Sequence, residues 1–286
     1  MMEKNENGTY VADRCFDEER AFYGSEHLCA ERCTFDGPAD GESAFKECTD
    51  ISVRECRFCL RYPFWHTHGL TIEHSKMTPL CRAAIWYSDH IRICDSVLYG
   101  VKALRECSDV EMENCSLFSD ECGWFLKYVK MINCRAESEY FMLRAENLQL
   151  SSVSLKGKYS FQYICNSAFD ACTFDTKDAF WHAKNVLIRN SEIAGEYLGW
   201  YSDGLTLDHC RIIGTQPLCY CRNLRLTDCE MIRTDLCFEK SNVEASVTTP
   251  IQSIKNPRDG KICAPSIGRI ICDSEESKAV IELSES

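Results

Sequence analysis

No run of apolar residues in this chain approaches the length that crosses a bilayer. The opening residues, MMEKNENGTYVADRC, hold none of the apolar core that a secretory signal requires. A cytoplasmic location without a membrane partner is therefore expected. Positive charge is also in deficit: 32 Lys and Arg stand against 44 Asp and Glu, a formal net charge of -12. That average field repels a phosphate backbone, so no nucleic-acid partner is expected. Metal motifs are incomplete. Cys56 and Cys59 form a CxxC and Cys219 with Cys221 a CxC, but neither has the second half that closes a zinc site. No metal and no cofactor is expected.

Cysteine, by contrast, is abundant, with 21 in 286 residues. The odd count and the absent export signal argue against a disulfide framework, and in a reducing compartment thiols act as small buried apolar groups. Most of them fall into a repeat. NLRLTDCEM from Asn223 aligns under GLTLDHCRI from Gly204, NVLIRNSEI from Asn185, NSAFDACTF from Asn166, NLQLSSVSL from Asn147, YVKMINCRA from Tyr128, DVEMENCSL from Asp109 and HIRICDSVL from His90, always 19 residues apart. NVEASVTTP from Asn242 extends the series, and GLTIEHSKM, DISVRECRF and HLCAERCTF precede it at looser spacing, which makes twelve rungs.

Within a rung every second residue is apolar, as at Leu224, Leu226 and Met231, or Leu205, Leu207 and Ile212. Period two is a strand signal. Nineteen residues are too few for strand plus helical crossover, and neither a five- nor a six-residue beat is present. The pattern predicts an all-β, single-stranded, right-handed parallel β-helix of about twelve coils. Residues 1–27 are expected to form an N-terminal cap and first strand region, 28–248 the coils, and 249–286 a C-terminal cap and tail, in one domain. A column of small residues, Cys33, Cys56, Ser75, Ser96, Cys115, Cys134, Val153, Cys172, Ser191, Cys210, Cys229 and Thr248, marks an inward bend.

Function is sought in the other half of the coil. Three residues before each start stand Glu47, His66, Tyr87, Glu106, Phe125, Arg144, Tyr163, His182, Tyr201, Tyr220 and Glu239. Seven before stand Lys102, Glu121, Tyr140, Tyr159, Asp178, Tyr197, Gln216 and Asp235. Both columns are expected to face solvent. Between them runs Trp65, Trp86, Arg105, Trp124, Leu143, Gln162, Trp181, Trp200, Cys219 and Phe238. Strict alternation turns that column inward, where Arg105 and Gln162 are costly to bury, and a bend turns it outward; both remain open.

Aromatic rings interleaved with carboxylates and guanidinium groups suit a carbohydrate groove. The ligand-binding candidates are His66, Tyr87, Lys102, Arg105, Tyr140, Arg144, Tyr159, Tyr163, Trp181, Tyr197, Trp200, Tyr201, Tyr220 and Glu239. The bland counterpart is a ladder that stabilises the coils by stacking like on like. For lyase or hydrolase chemistry the candidate catalytic groups are His182, Glu106 and Asp178, with Arg144 or Lys102 holding an acid group. Whether the protein is an enzyme stays open, and a protein-docking scaffold on the same face is the alternative.

FDGPADGES at Phe35–Ser43, LRYPFWH at Leu60–His66, LCRAAIWYSD at Leu80–Asp89, KALRECSD at Lys102–Asp109, ESEYFMLR at Glu137–Arg144, KGKYSFQY at Lys156–Tyr163, TKDAFWHAKN at Thr176–Asn185, GTQPLCYC at Gly214–Cys221 and FEKS at Phe238–Ser241 carry a resemblance. They are similar to an uncharacterised bacterial family, a domain of unknown function with a pectin-lyase-like β-helix fold. The resemblance implies that architecture and transfers no activity and no catalytic residue.

Overall fold

The computed structural model describes residues 2–5, 8–37 and 43–284. Most of the FDGPADGES run, at 38–42, lies outside them. All regular structure among the described residues is strand, so no helix is long and apolar enough to cross a membrane. The chain divides into two compact units, Met1–Met142 and Leu143–Ser286, and each is a parallel β-solenoid.

In the first unit the long strands Gly8–Ala12, Glu26–Glu31, Thr49–Arg54, His68–Glu73, Asp89–Cys94, Ser108–Glu113 and Lys127–Ile132 pair in parallel, each with the next. Met2–Asn5 folds back antiparallel on Gly8–Ala12. In the second unit the same role falls to Glu146–Ser151, Cys165–Asp170, Lys184–Arg189, Asp203–Asp208, Leu224–Ile232, Asn242–Val247, Asp259–Ala264 and Val280–Leu283. Counted along the chain there are about 14 turns. The expected twelve omitted Gly8–Ala12 and Val280–Leu283, which keep the 19-residue spacing to a neighbouring strand, and Asp259–Ala264, which stands 17 residues on from Asn242–Val247. The 19-residue register is otherwise as read: Leu207 pairs with Leu226, and both are buried.

The corners explain which residues recur there. Near the start of most long strands one residue is left-handed, with φ of 51° at His90, 53° at Asp109, 52° at Asn166 and Asn185, and 73° at Gly204. A second follows the strand, at Asp95, Asn114, Asn133, Asn190, His209 and Asp228. Asn, Asp, His and Gly enter this region at the least steric cost. At the second corner the left-handed residue reverses the direction of its amide. Asn114 N–H therefore donates to Ile132 O of the following turn at 3.1 Å, whereas Lys184 N–H inside a strand donates back to Ile164 O at 3.0 Å.

The small column comes immediately after the second corner, and its members from Cys33 to Cys229 are buried. Size is only half of the requirement. Ser75 Oγ accepts the amide of Cys56 one turn back at 3.0 Å and donates to Glu73 O at 2.8 Å. Ser191 accepts from Cys172 N–H at 2.9 Å, and Cys134 Sγ from Cys115 N–H at 3.5 Å. Hydroxyl and thiol are thus interchangeable caps for amides that the ladder leaves over. Thr248 does not belong to this column. The register shifts between Leu226 and Cys229, Val247 pairs with Cys229 and is buried, and Thr248 is exposed.

Phenylalanine fills the first unit in two stacked rows, Phe16–Phe35–Phe58 at 5.2 and 5.0 Å and Phe22–Phe45–Phe64 at 5.4 and 5.2 Å. Phe161, Phe169, Phe174 and Phe180 cluster inside the second. All 21 cysteines are free thiols, and most are buried. Burial pushes Cys56, Cys81, Cys107 and Cys122 up to about 12, away from nucleophilic or metal-binding chemistry.

Replacing Ser75 with Ala strands the buried amide of Cys56. Urea unfolding is expected to show a loss of about 1–3 kcal/mol. Ser75→Cys, which keeps an acceptor, should lose clearly less.

Candidate functional site

In the second unit the column three residues before each strand start forms one continuous stack. The Arg144 guanidinium lies 4.7 Å from the Tyr163 ring centroid. Tyr163 stacks on His182 at 4.8 Å and 10°, His182 on Tyr201 at 5.1 Å and 10°, and Tyr201 on Tyr220 at 4.9 Å and 12°. Tyr220 Oη reaches Glu239 at 3.3 Å, and Glu239 is paired with Lys255 at 3.1 Å. Burial, with Glu239 adding to it, pushes the Tyr220 phenol up to about 12.

The backbone puts these side chains outside. Tyr163, His182, Tyr201 and Tyr220 are left-handed, with φ of 56–61°. Their amides donate to the following turn, as from His182 to Trp200 O at 2.9 Å. Tyr163 and Tyr201 are 44% and 46% exposed, and His182 and Tyr220 are half-buried. The chemical consequence is specific. His182 and Tyr201 have both ring faces covered by neighbours, so the ladder offers solvent its edges, a row of phenol hydroxyls and an imidazole.

The Trp column takes neither orientation considered from the sequence. Its Trp rings are half-buried, whereas Cys219 and Phe238 at its far end are buried. Trp181 stacks on Trp200 at 5.3 Å and 7°, and their Nε1–H groups donate to Tyr197 O and Gln216 O at 2.7 Å. Trp124 does the same to Tyr140 O at 2.9 Å. Gln162 imitates them: its Nε2 donates to Asp178 O at 3.0 Å, the carbonyl sixteen residues on that a Trp would use. Arg105 is not buried bare either. Its guanidinium lies 5.6 Å from Trp86 and 5.0 Å from Trp124, and it pairs with Glu106 at 3.4 Å and Glu121 at 3.6 Å.

The remaining candidates divide between the units. In the first, Lys102 pairs with Glu121 at 3.4 Å, His66 faces Glu47 at 3.6 Å, and Tyr87 stacks on Trp86 at 5.1 Å. Tyr140 stands edge-on to Trp124 at 6.2 Å. Glu106 belongs to that group and not to the ladder of His182. In the second unit Tyr197 stands edge-on to Trp200 at 5.2 Å, and Tyr159 is a half-buried left-handed corner. Asp178 is a nearly buried corner whose carboxyl is raised by desolvation, despite Lys177 at 3.9 Å.

Two features escaped the sequence reading. Lys255, which ends the ladder, lies past the last regular rung, where no spacing pointed to it. Lys46, over Trp65 at 5.3 Å, stands one residue before the column that was aligned. Among the described residues no group of three or more His, Cys, Asp or Glu is placed to hold a metal ion.

A carboxyl raised by burial binds more protons folded than unfolded, so the contribution of Asp178 to stability should be lost as pH rises from about 3.8 through the raised value. Asp178→Asn is expected to raise the melting temperature at pH 7, with the gain shrinking towards pH 3. A gain constant across that range would mean that only the corner backbone preference had changed.

A family model described as "Protein of unknown function (DUF3737)" matches residues 9–283. No curated protein matches the chain. Among solved structures, the A-module of the mannuronan C-5 epimerase AlgE6 from Azotobacter vinelandii is similar at 9% identity, covering 97% of this chain and 90% of that one, with a TM-score of 0.36. PfbA, a surface adhesin of Streptococcus pneumoniae, has 10% identity, coverage of 87% and 72%, and a TM-score of 0.35. The catalytic domain of a GH87 α-1,3-glucanase, solved with nigerose, has 9% identity, coverage of 98% and 64%, and a TM-score of 0.31. None of them carries a residue assignment into this chain.

Proposed function

The chain belongs to the DUF3737 family of proteins of unknown function, and we propose that its second unit binds a carbohydrate chain along the edge of the Arg144–Glu239 ladder. The observation that carries this reading is the stack itself. Four rings succeed one another at 4.8–5.1 Å and nearly parallel, with Tyr163 and Tyr201 exposed. A guanidinium stands at one end and a carboxylate–ammonium pair at the other.

Because the central ring faces are closed, recognition runs through hydrogen bonds and not through stacking on sugar rings. Phenol hydroxyls and imidazole both donate and accept, which matches a polymer that presents hydroxyls at intervals. The stack also makes the row rigid, so little side-chain entropy is lost when a ligand is bound. The reading assigns binding and no turnover. His182 is held between two rings, and Glu106 lies in the other unit.

A second reading, a protein-docking scaffold without catalysis, is favoured by the same closure of the ring faces. Ligand chemistry separates the two. A glycan array at neutral pH, followed by calorimetry, should show a retained oligosaccharide. Tyr163→Phe and Tyr201→Phe keep the rings in place and remove only the hydroxyls, and each should weaken binding about tenfold, ~1.4 kcal/mol. An array on which the wild-type protein retains no sugar sinks the carbohydrate reading.

A further inference from the structure

The repeat is interrupted once in a way that opens the surface. From Asn223 to Asn242 the step is 19 residues, but Asn242 pairs with Asp259, only 17 further on. The left-handed column of strand starts breaks at the same place. Asn223 has φ of 51°, Asn242 is not left-handed, and the strand after it has its positive φ at Gly260, 98°. Gly260 lies close against Val243 O, where a side chain has no room. With the corners out of line, the surface over these turns sinks into an open depression of about 400 Å³.

Its walls are polar. Arg222, Asn223, Arg225, Asn242, Glu244 and Asp259 line it, with only the edges of Leu224 and Val243 below. Arg225 and Glu244 are in register on neighbouring turns. Lys261, next in that row, is held by Glu282 at 2.8 Å. Asp259 accepts the amide of Gly260 at 2.8 Å, and Asn223 donates to Asp203 at 2.7 Å. Among the described residues neither Arg222 nor Arg225 has an ion pair or side-chain hydrogen bond.

We infer that this depression is a sugar subsite that reads a vicinal diol. A volume near the low end of roughly 300–1,000 Å³ for ligand pockets suits one small ring. A lining of charged groups and amides suits hydroxyls and rejects an apolar ligand. Two guanidinium groups balance two carboxylates, which favours a neutral ligand over an anion. Guanidinium N–H donates to one hydroxyl oxygen of a diol while a carboxylate accepts from its neighbour.

The place also fits. Arg222 follows the ladder residue Tyr220 by two positions and Asn242 follows Glu239 by three, so the depression lies around one corner from the ladder's lower end. The inference deepens the carbohydrate reading and rests on it: the ladder holds a chain, and the depression takes one of its rings.

The test follows the arginine Nε–H resonances of the intact protein by NMR during titration with methyl β-glucoside, with its 2,3-di-O-methyl derivative, with methyl β-glucuronide and with inorganic sulfate. Saturable shifts of Arg222 and Arg225 are expected with the free glucoside and not with the methylated one. Arg225→Gln with Glu244→Gln should weaken that binding at least tenfold; both positions are exposed, so the fold should stand. Tyr201→Phe should leave the monosaccharide response unchanged while weakening the longer glycan. Shifts with sulfate alone, or only with the glucuronide, would make this an anion site and overturn the inference, as would no shift with any probe. If the glucoside response survives but ladder variants bind glycan like the wild type, the ladder reading fails and the subsite remains.

Discussion

Everything in this molecule depends on the vertical match between one turn and the next. A side chain meets its counterpart in the following turn before it meets anything else, so a coil is stable only if its neighbour repeats its choices. The backbone enforces the match at the corners. Left-handed residues such as Asn114, His182 and Tyr220 send their amides forward to the next turn while Lys184 and Asp203 send theirs back, so each coil is bonded on both sides. The small column completes this arrangement, because a Ser or Cys side chain there supplies the acceptor that the ladder lacks.

The same constraint shapes the candidate site. An aromatic residue repeated at 19-residue spacing stacks on itself, and stacking consumes the ring faces. The ladder from Arg144 to Glu239 is thus first a stabilising element, and what is left for recognition is its rim. The first unit solves the same packing problem with cations, placing Arg105 between Trp86 and Trp124 and Lys46 over Trp65. The depression at Arg222 and Arg225 differs in kind. There the repeat fails, and the Arg222 and Arg225 guanidinium groups have no ion pair among the described residues.

The architecture was legible because strand alternation and the 19-residue period are properties of local sequence. Leu205, Leu207 and Ile212 announce both the strand and its buried face. The Asn, Asp and His of the two corner columns were equally visible, at Asn114, Asn133, Asn185 and Asn190, but their meaning lies in backbone angles that composition does not express. The orientation of the Trp column was illegible for a related reason. Alternation assumes an extended chain, and Trp181 sits between Phe180 and His182, both left-handed. Gln162 and Arg105, which looked costly to bury, are explained by partners sixteen or nineteen residues away that no local pattern names. The depression was hidden because it arises from a lost period.

That lost period has a wider meaning. A structure that copies its own cross-section has no internal reason to stop, and any insertion of a full turn leaves its interior unchanged. Between Asn242 and Asp259 two residues fewer than the count demands put the chain out of phase with itself. Past that step Asp259–Ala264 and Val280–Leu283 still pair, but Ile270, Val280 and Leu283 turn their apolar side chains outward. The missing pair of residues acts as punctuation: it shifts the phase once, and the 19-residue spacing that resumes from Lys261 to Val280 carries a strand whose Val280 and Leu283 are exposed.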